Sequence, residues 1–314
     1  MTTTERGAQS LVAWRLVRQM LDDMTATIEA DAETELELIE GLRVLGRITA
    51  LCSELSLDVD VQQPFFLAMS TEARLVGGVN PDGEYPLAMI DGRYRYRVSG
   101  TRGTSAYLGF QVLAGSGLVP RRMAAYVSDR DIDVRADGTF SFVLASEKPA
   151  AAELGGDTWV EIPEDASSIV VREYIANRAD EVIAELEITP LDAPGTPAVP
   201  TDAFIGEQLT SMAWTIAKLM TLHRTVKPEL IDTPNVLVTA EAAQLGSADT
   251  TPDNLYMIGT FRLEPDEALV IEFVPPATRY WTVTLENIWH ECIDPRRRNS
   301  SITNAAAVPG AERL

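Results

Sequence analysis

The sequence predicts a mainly β chain of the α+β class: two related β-sandwich or jelly-roll-like units, an N-terminal helical hairpin and a connecting helix. Three observations carry this expectation. Apolar residues recur at helical spacing before Leu57, alternation of period two takes over from Phe65, and two distant stretches repeat three elements in one order. The implied divisions are residues 1–64 (helical), 65–191 (first β unit), 192–200 (linker) and 201–314 (helix plus second β unit). A chain of 314 residues is long enough for two such units without disulfide staples.

The elements follow in order. Over residues 8–28, Ala13, Val17, Met20, Leu21, Met24 and Ile28 define one helical face. Over residues 33–57, Leu36, Ile39, Leu42, Leu45, Cys52 and Leu55 define a second, and the polar link at 29–35 suits an antiparallel hairpin. Gly41 and Gly46 either weaken that helix or admit a close neighbour. Asn80-Pro81-Asp82-Gly83 is a turn. Residues 94–99 alternate, with Arg93, Arg95 and Arg97 opposite Tyr94, Tyr96 and Val98. Residues 105–113 are apolar enough for a central strand. A hairpin is expected over 132–144 about Ala136-Asp137-Gly138, and further strands at 159–162, 168–174 and 181–188, the last with Val182, Ala184, Leu186 and Ile188 on one face. The stretch DAPGTPAVP at 192–200 opposes regular structure. Thr201-Asp202 starts a helix carrying Ile205, Leu209, Met212, Ile216, Leu219 and His223, which Pro228 ends at the latest. Residues 247–254 form a polar loop.

Charge and cysteine content exclude several partners. The net charge of -21 repels phosphate backbones and anionic lipid, so neither nucleic acid nor a membrane is expected. The start MTTTERGAQSLVAW has no basic segment leading into an apolar run, and no run is long enough to span a bilayer. Cys52 and Cys292 give no disulfide framework, and the expected location is cytoplasmic.

The internal repeat rests on P-D-x-x-Y, present as Pro81-Asp82-Gly83-Glu84-Tyr85 and Pro252-Asp253-Asn254-Leu255-Tyr256. A strand-like run follows each copy (94–99 and 268–274), then a third element at Tyr107 or Tyr280. Tyr107 lies 22 positions after Tyr85, and Tyr280 lies 24 after Tyr256. The stretch LYMIGTFRLEPDEALVIEFVPPATRYWTVTLEN, with NPDGEY and YRYRVSG upstream, is similar to the bacterial family catalogued as domain of unknown function 1214, often found with a partner catalogued as 1254. The resemblance spans residues 80–299, is best over 255–287, and leaves out the N-terminal helices. It implies jelly-roll-like β-sandwich domains and oligomers, and no established reaction. Members of that family usually continue into further strands after a segment like 305–314, so the last sheet is expected to be incomplete or closed by another chain.

Candidate chemistry gathers at the repeat. Asp82 with Tyr85 and Asp253 with Tyr256 read either as turn carboxylates with packed phenols or as ligand-binding pairs. Arg279-Tyr280-Trp281 opens a strand that sets Trp281, Val283, Leu285, Asn287 and Trp289 against Tyr280, Thr282, Thr284, Glu286, Ile288 and His290. Glu286, His290 and Tyr280 are the candidates for acid–base chemistry. His223 and His290 are the only histidines and no CxxC or HxxxH occurs, so no metal and no cofactor is expected despite His290, Glu291, Cys292 and Asp294 lying together. Arg296, Arg297 and Arg298 form the only basic cluster, either solvated or an anion site. Gly115-Ser116-Gly117 lacks the rest of a phosphate loop, and no G-x-S-x-G elbow is present. The sequence thus favours a homo-oligomeric module that binds a small ligand or a partner. The alternative is an enzyme on a small apolar substrate, with Tyr256, Arg279, Tyr280, Glu286 and His290 as its set.

Overall fold

The computed structural model describes residues 8–57, 59–115, 119–192, 199–226, 228–240 and 251–307. Helix α1 (Ala8–Asp31) is followed closely by α2 (Glu35–Leu57). Thr34 and Glu37 explain the restart. The Glu37 amide donates to Thr34 Oγ1, and the Thr34 amide donates to Glu37 Oε2, a reciprocal cap on the first free N–H groups. In chain order there follow β1 (Leu67–Ala68), β2 (Gly83–Glu84), β3 (Pro86–Met89), β4 (Tyr96–Thr101), β5 (Tyr107–Ala114), β6 (Arg122–Ser128), β7 (Thr139–Ala145), α3 (Ala151–Leu154), β8 (Thr158–Glu161), β9 (Ala166–Tyr174) and β10 (Glu185–Pro190). The remainder holds α4 (Asp202–Met220), a 3₁₀ turn (Leu222–Thr225), α5 (Pro228–Asp232), β11 (Val238–Ala240), β12 (Tyr256–Ile258), β13 (Thr282–Thr284) and β14 (Ser301–Thr303). This is the expected α+β architecture with its N-terminal helical hairpin.

The first ten strands make a sandwich. One sheet runs β1-β3-β9-β5-β6, with β2 also paired to β9; the other runs β10-β4-β7-β8. All pairs are antiparallel except β7 with β8. Inward residues alternate as a sandwich requires. Leu108, Phe110 and Val112 of β5 meet Phe140, Phe142 and Leu144 of β7, with the Phe110 and Phe142 rings edge-on at 5.1 Å. The predicted central strand is β5, buried at all eight positions.

Three helices share a second core. Val17, Met20, Met24 and Ile28 of α1 pack with Val44, Ile48, Leu51 and Cys52 of α2 and with Leu209, Met212, Ile216 and Met220 of α4. The hairpin thus buries its stripes within its own chain. Both ends of α1 are tied to α4. Asp202 accepts from the Gln9 and Ser10 amides at 2.9 and 3.1 Å, where the helix offers unpaired N–H groups. Asp31 accepts from His223 and Arg224 at 2.7 Å each. Thr201 caps α4 through the Phe204 amide, at the predicted position.

Four expectations are corrected. Leu36, Ile39 and Leu42 are exposed, because steps of three drift off a helical face; the buried line is Gly41, Val44, Leu45, Ile48, Leu51 and Cys52. Residues 132–135 form no strand: β7 takes β4 as its neighbour, and Arg135 keeps only a turn bond to Thr139. Val182 is exposed although Ile188 is buried, since β10 starts only at Glu185. Residues 268–274 form no strand, and Val270 and Val274 are exposed. Most of the 192–200 linker, most of the 247–254 loop and Ser116-Gly117 lie outside the described residues.

Gly41 marks a close approach. A Cβ there would stand 2.6 Å from Ile28 Cγ2 and 2.9 Å from Trp289 Cε2, whereas one at Gly46 would meet nothing within 4 Å. Gly41→Ala is therefore expected to cost about 1–3 kcal/mol in urea unfolding. Gly46→Ala, in an exposed helical position, should gain up to about 1 kcal/mol. Equal effects would contradict the packing of Trp289 on α2.

Candidate functional site

The outer face of the six-stranded sheet is lined by tyrosines. Register places Tyr107 of β5 directly opposite Tyr174 of β9, and the two rings stack at 4.9 Å. Tyr280, arriving from the second half of the chain, stacks on Tyr174 at 5.1 Å, and Tyr85 meets Tyr174 edge-on at 6.4 Å. Tyr256 brings its hydroxyl to 3.4 Å from that of Tyr174, and Asn254 donates to Tyr174 Oη at 2.8 Å. The guanidinium of Arg172 lies 6.0 Å from the Tyr85 ring centre.

Asp253 closes one end of this layer. Its carboxylate accepts from Tyr107 Oη at 3.0 Å and from Tyr126 Oη at 2.8 and 2.9 Å, while the residue itself stays exposed. Burial pushes the Tyr107 phenol up to about 12. Burial, the bond to Tyr107 and the Asp253 carboxylate all push Tyr126 up. Both phenols are thus neutral donors at physiological pH. Arg279 stands 6.0 Å from the Tyr107 ring centre and binds Asp129 through two nitrogens at 2.9 and 3.0 Å. Arg102 reaches the same carboxylate at 2.5 Å. Burial raises the Asp129 carboxyl, but Arg279 and Arg102 outweigh it and hold the group below the ordinary carboxylate value.

The turn after Cys52's helix mate Trp289 supplies a second arrangement. Asn287 ends the strand by accepting from the Trp289 and Glu291 amides at 3.1 Å each. Trp289 is thereby turned into the helical core, where its indole donates to the Glu37 carbonyl at 2.9 Å. His290 takes a left-handed backbone, φ 55°, rare for a non-glycine residue. Its Nδ1 lies 3.1 Å from Glu286 Oε2, and its Nε2 is buried with no hydrogen-bond partner among the described residues. The turn brings Glu286 and His290 together, not strand alternation, and Trp289 leaves the face expected to hold Trp281.

The candidates fall into three places. Tyr85, Asp253, Tyr256, Arg279 and Tyr280 join the tyrosine layer. Asp82 lies beside it, where its carboxylate accepts from Ser301 Oγ at 2.5 Å, and Asn80 supplies the turn-closing side chain to the Asp82 amide. Trp281 packs edge-on to Phe273 at 5.2 Å, apart from the tyrosine rings. Neither aspartate acts on its own turn backbone. Asp253 also chooses Tyr107 and Tyr126 over its sequence neighbour Tyr256. Tyr126, Tyr174, Asn254, Asp129 and Arg172 were not singled out from sequence; only the β5–β9 register and the return of residues 251–281 onto the sheet select them. Among the described residues no three or more His, Cys, Asp or Glu gather as metal ligands, and no helix is long and apolar enough to cross a membrane.

The fold recurs in a solved structure. An uncharacterised protein from Burkholderia cenocepacia superposes with TM-score 0.89 at 28% identity, over 98% of this chain and 86% of that one. A protein from Vibrio parahaemolyticus aligns over 34% of this chain and 31% of its own at 13% identity, with TM-score 0.26, too slight to bear on the fold. No family model matches the chain, and no curated protein matches it.

Asp129 joins the two halves of the chain, and its removal is testable. Asp129→Asn is expected to cost roughly 1–3 kcal/mol at pH 7, moderated by the 41% exposure of the Arg279 side chain. A depressed folded pKa means the contribution is present above the unfolded value and disappears as pH falls through the folded one. Denaturation curves of wild type and variant should therefore converge below about pH 3; a constant gap would sink the ion-pair account.

Proposed function

We propose that the chain is a small-molecule-binding module whose seat is the open end of the tyrosine layer. The observation that carries this reading is the Asp253 carboxylate, exposed yet held by the Tyr107 and Tyr126 hydroxyls. A carboxylate acceptor, neutral phenol donors and aromatic edges together suit an uncharged ligand bearing several hydroxyl groups, such as a sugar or polyol. Affiliation with the family of unknown function 1214 is part of this proposal, on the strength of residues 255–287. So is a cytoplasmic location, on the acidic charge and the two free cysteines. Millimolar sugars and polyols are expected to raise the thermal midpoint of the wild type. Asp253→Asn with Tyr126→Phe should abolish that rise while leaving the ligand-free midpoint within a few degrees. A rise that survives the double variant would place the ligand elsewhere, and no rise with any compound would make the layer a packing seam.

Self-association belongs to the same reading. Leu11, Val12 and Trp14 of α1, Leu36 and Ile39 of α2, and Val270 and Val274 remain exposed. Light scattering at micromolar concentration should show a closed homo-oligomer; a stable monomer would remove this part of the proposal.

An enzyme is the second reading, favoured by the strained His290 with Nδ1 on Glu286 and a buried, unpartnered Nε2. Glu286 would orient the ring and Nε2 would exchange the proton. Any turnover found by substrate screening should then fall in both Glu286→Gln and His290→Asn; turnover unchanged in both variants would reject the pair as catalytic.

A further inference from the structure

Arginines from two distant parts of the chain meet at one cavity. Arg43 and Arg47 stand one turn apart on α2, and Arg296 and Arg297 lie on the turn after Asp294. With Glu72, Cys292 and Asp294 they line a cavity of about 240 Å³. We propose that this cavity binds a phosphoryl group, either inorganic phosphate or a small phosphate monoester.

The charge balance favours an anion, against the trend of a chain whose net charge is -21. Four guanidinium groups face Glu72, Asp294 and the adjoining Glu291, an excess of one positive charge. The donor balance is more lopsided. Arg43 donates to Glu40 and Glu291, Arg47 to Glu291, Arg296 twice to Asp294 and Arg297 once to Asp294. Those are six hydrogen bonds from roughly twenty N–H donors. The walls are already positioned. Glu291, 1% exposed, holds Arg43 and Arg47 from beneath, and Asp294 bridges Arg296 and Arg297 on the other side. A tetrahedral oxyanion accepts from guanidiniums arriving from two such directions, which a planar carboxylate does less well. The space equals about eight waters, enough for a phosphate with part of its solvation. Burial pushes the Cys292 thiol up to about 11, so the wall it forms carries no opposing charge at pH 7.

Titration calorimetry of the whole chain with inorganic phosphate, glycerol phosphate and acetate tests this. Either phosphate should bind, whichever is tighter identifying the free ion or the monoester, with acetate at least about tenfold weaker. Arg296→Gln with Arg297→Gln should weaken phosphate by about tenfold or more at an unchanged thermal midpoint, since both side chains are exposed. Arg43→Gln, on the opposite wall, should weaken it as well, and Asp253→Asn should leave it unaltered. Absence of heat with both phosphates up to about 10 mM, equal binding of acetate, or undiminished affinity in the double variant would each overturn the proposal.

Discussion

Strand β5 must be buried on both faces, and most of the fold answers to that. Eight consecutive residues, Tyr107–Ala114, are all shielded from water, including the polar Gln111. The four-stranded sheet covers one face with phenylalanines. The other face receives Leu55 from the end of α2 over Leu113 and Val170, and the returning segment around Tyr280 and Cys292 over Tyr107 and Tyr174. At roughly 25 cal/mol per Å² of apolar area, covering such a strand is worth several kcal/mol per large side chain pair, more than any single ion pair at the seam.

What distinguishes the two faces is polarity. The sandwich interior is aliphatic and phenyl, so it fixes shape and leaves no chemistry. The outer cover is made of tyrosines, whose rings supply apolar area while their hydroxyls demand partners. That demand places Asn80, Asn254 and Asp253 where they are. It also explains why the layer ends in an exposed carboxylate: the hydroxyls of Tyr107 and Tyr126 meet a common acceptor at the margin of the sheet.

Much of the scaffold was legible because its signals are local. Thr201 announces α4 through a side-chain cap, and the apolar run at 105–113 reads as a central strand without knowledge of its neighbours. The site was legible only in part. Asp253, Tyr256, Arg279 and Tyr280 stood out by their own types, but Tyr126, Tyr174 and Asp129 gain meaning only from register and from contacts across more than a hundred residues. The strand expected at 268–274 failed for a related reason: alternation makes a pleated face, yet a strand needs a neighbour's amides and carbonyls to pair with. The repeat is reproduced in its turns but not in its pairings, since Tyr107 sits on an eight-residue central strand and Tyr280 precedes a three-residue one.

Trp289 is the last residue to enter the core formed by α1, α2 and α4, and it lies 252 positions after the Glu37 carbonyl that receives its indole. During synthesis at about 5–20 residues per second, that gap is a wait on the order of 10–50 s. For this interval Gly41 and Ile28 face an empty notch, and the partly assembled helical layer presents apolar surface to other chains. The first helices to leave the ribosome are therefore the last to be finished, and the yield of folded protein rests on how well an incomplete helical pair stays soluble until its tryptophan arrives.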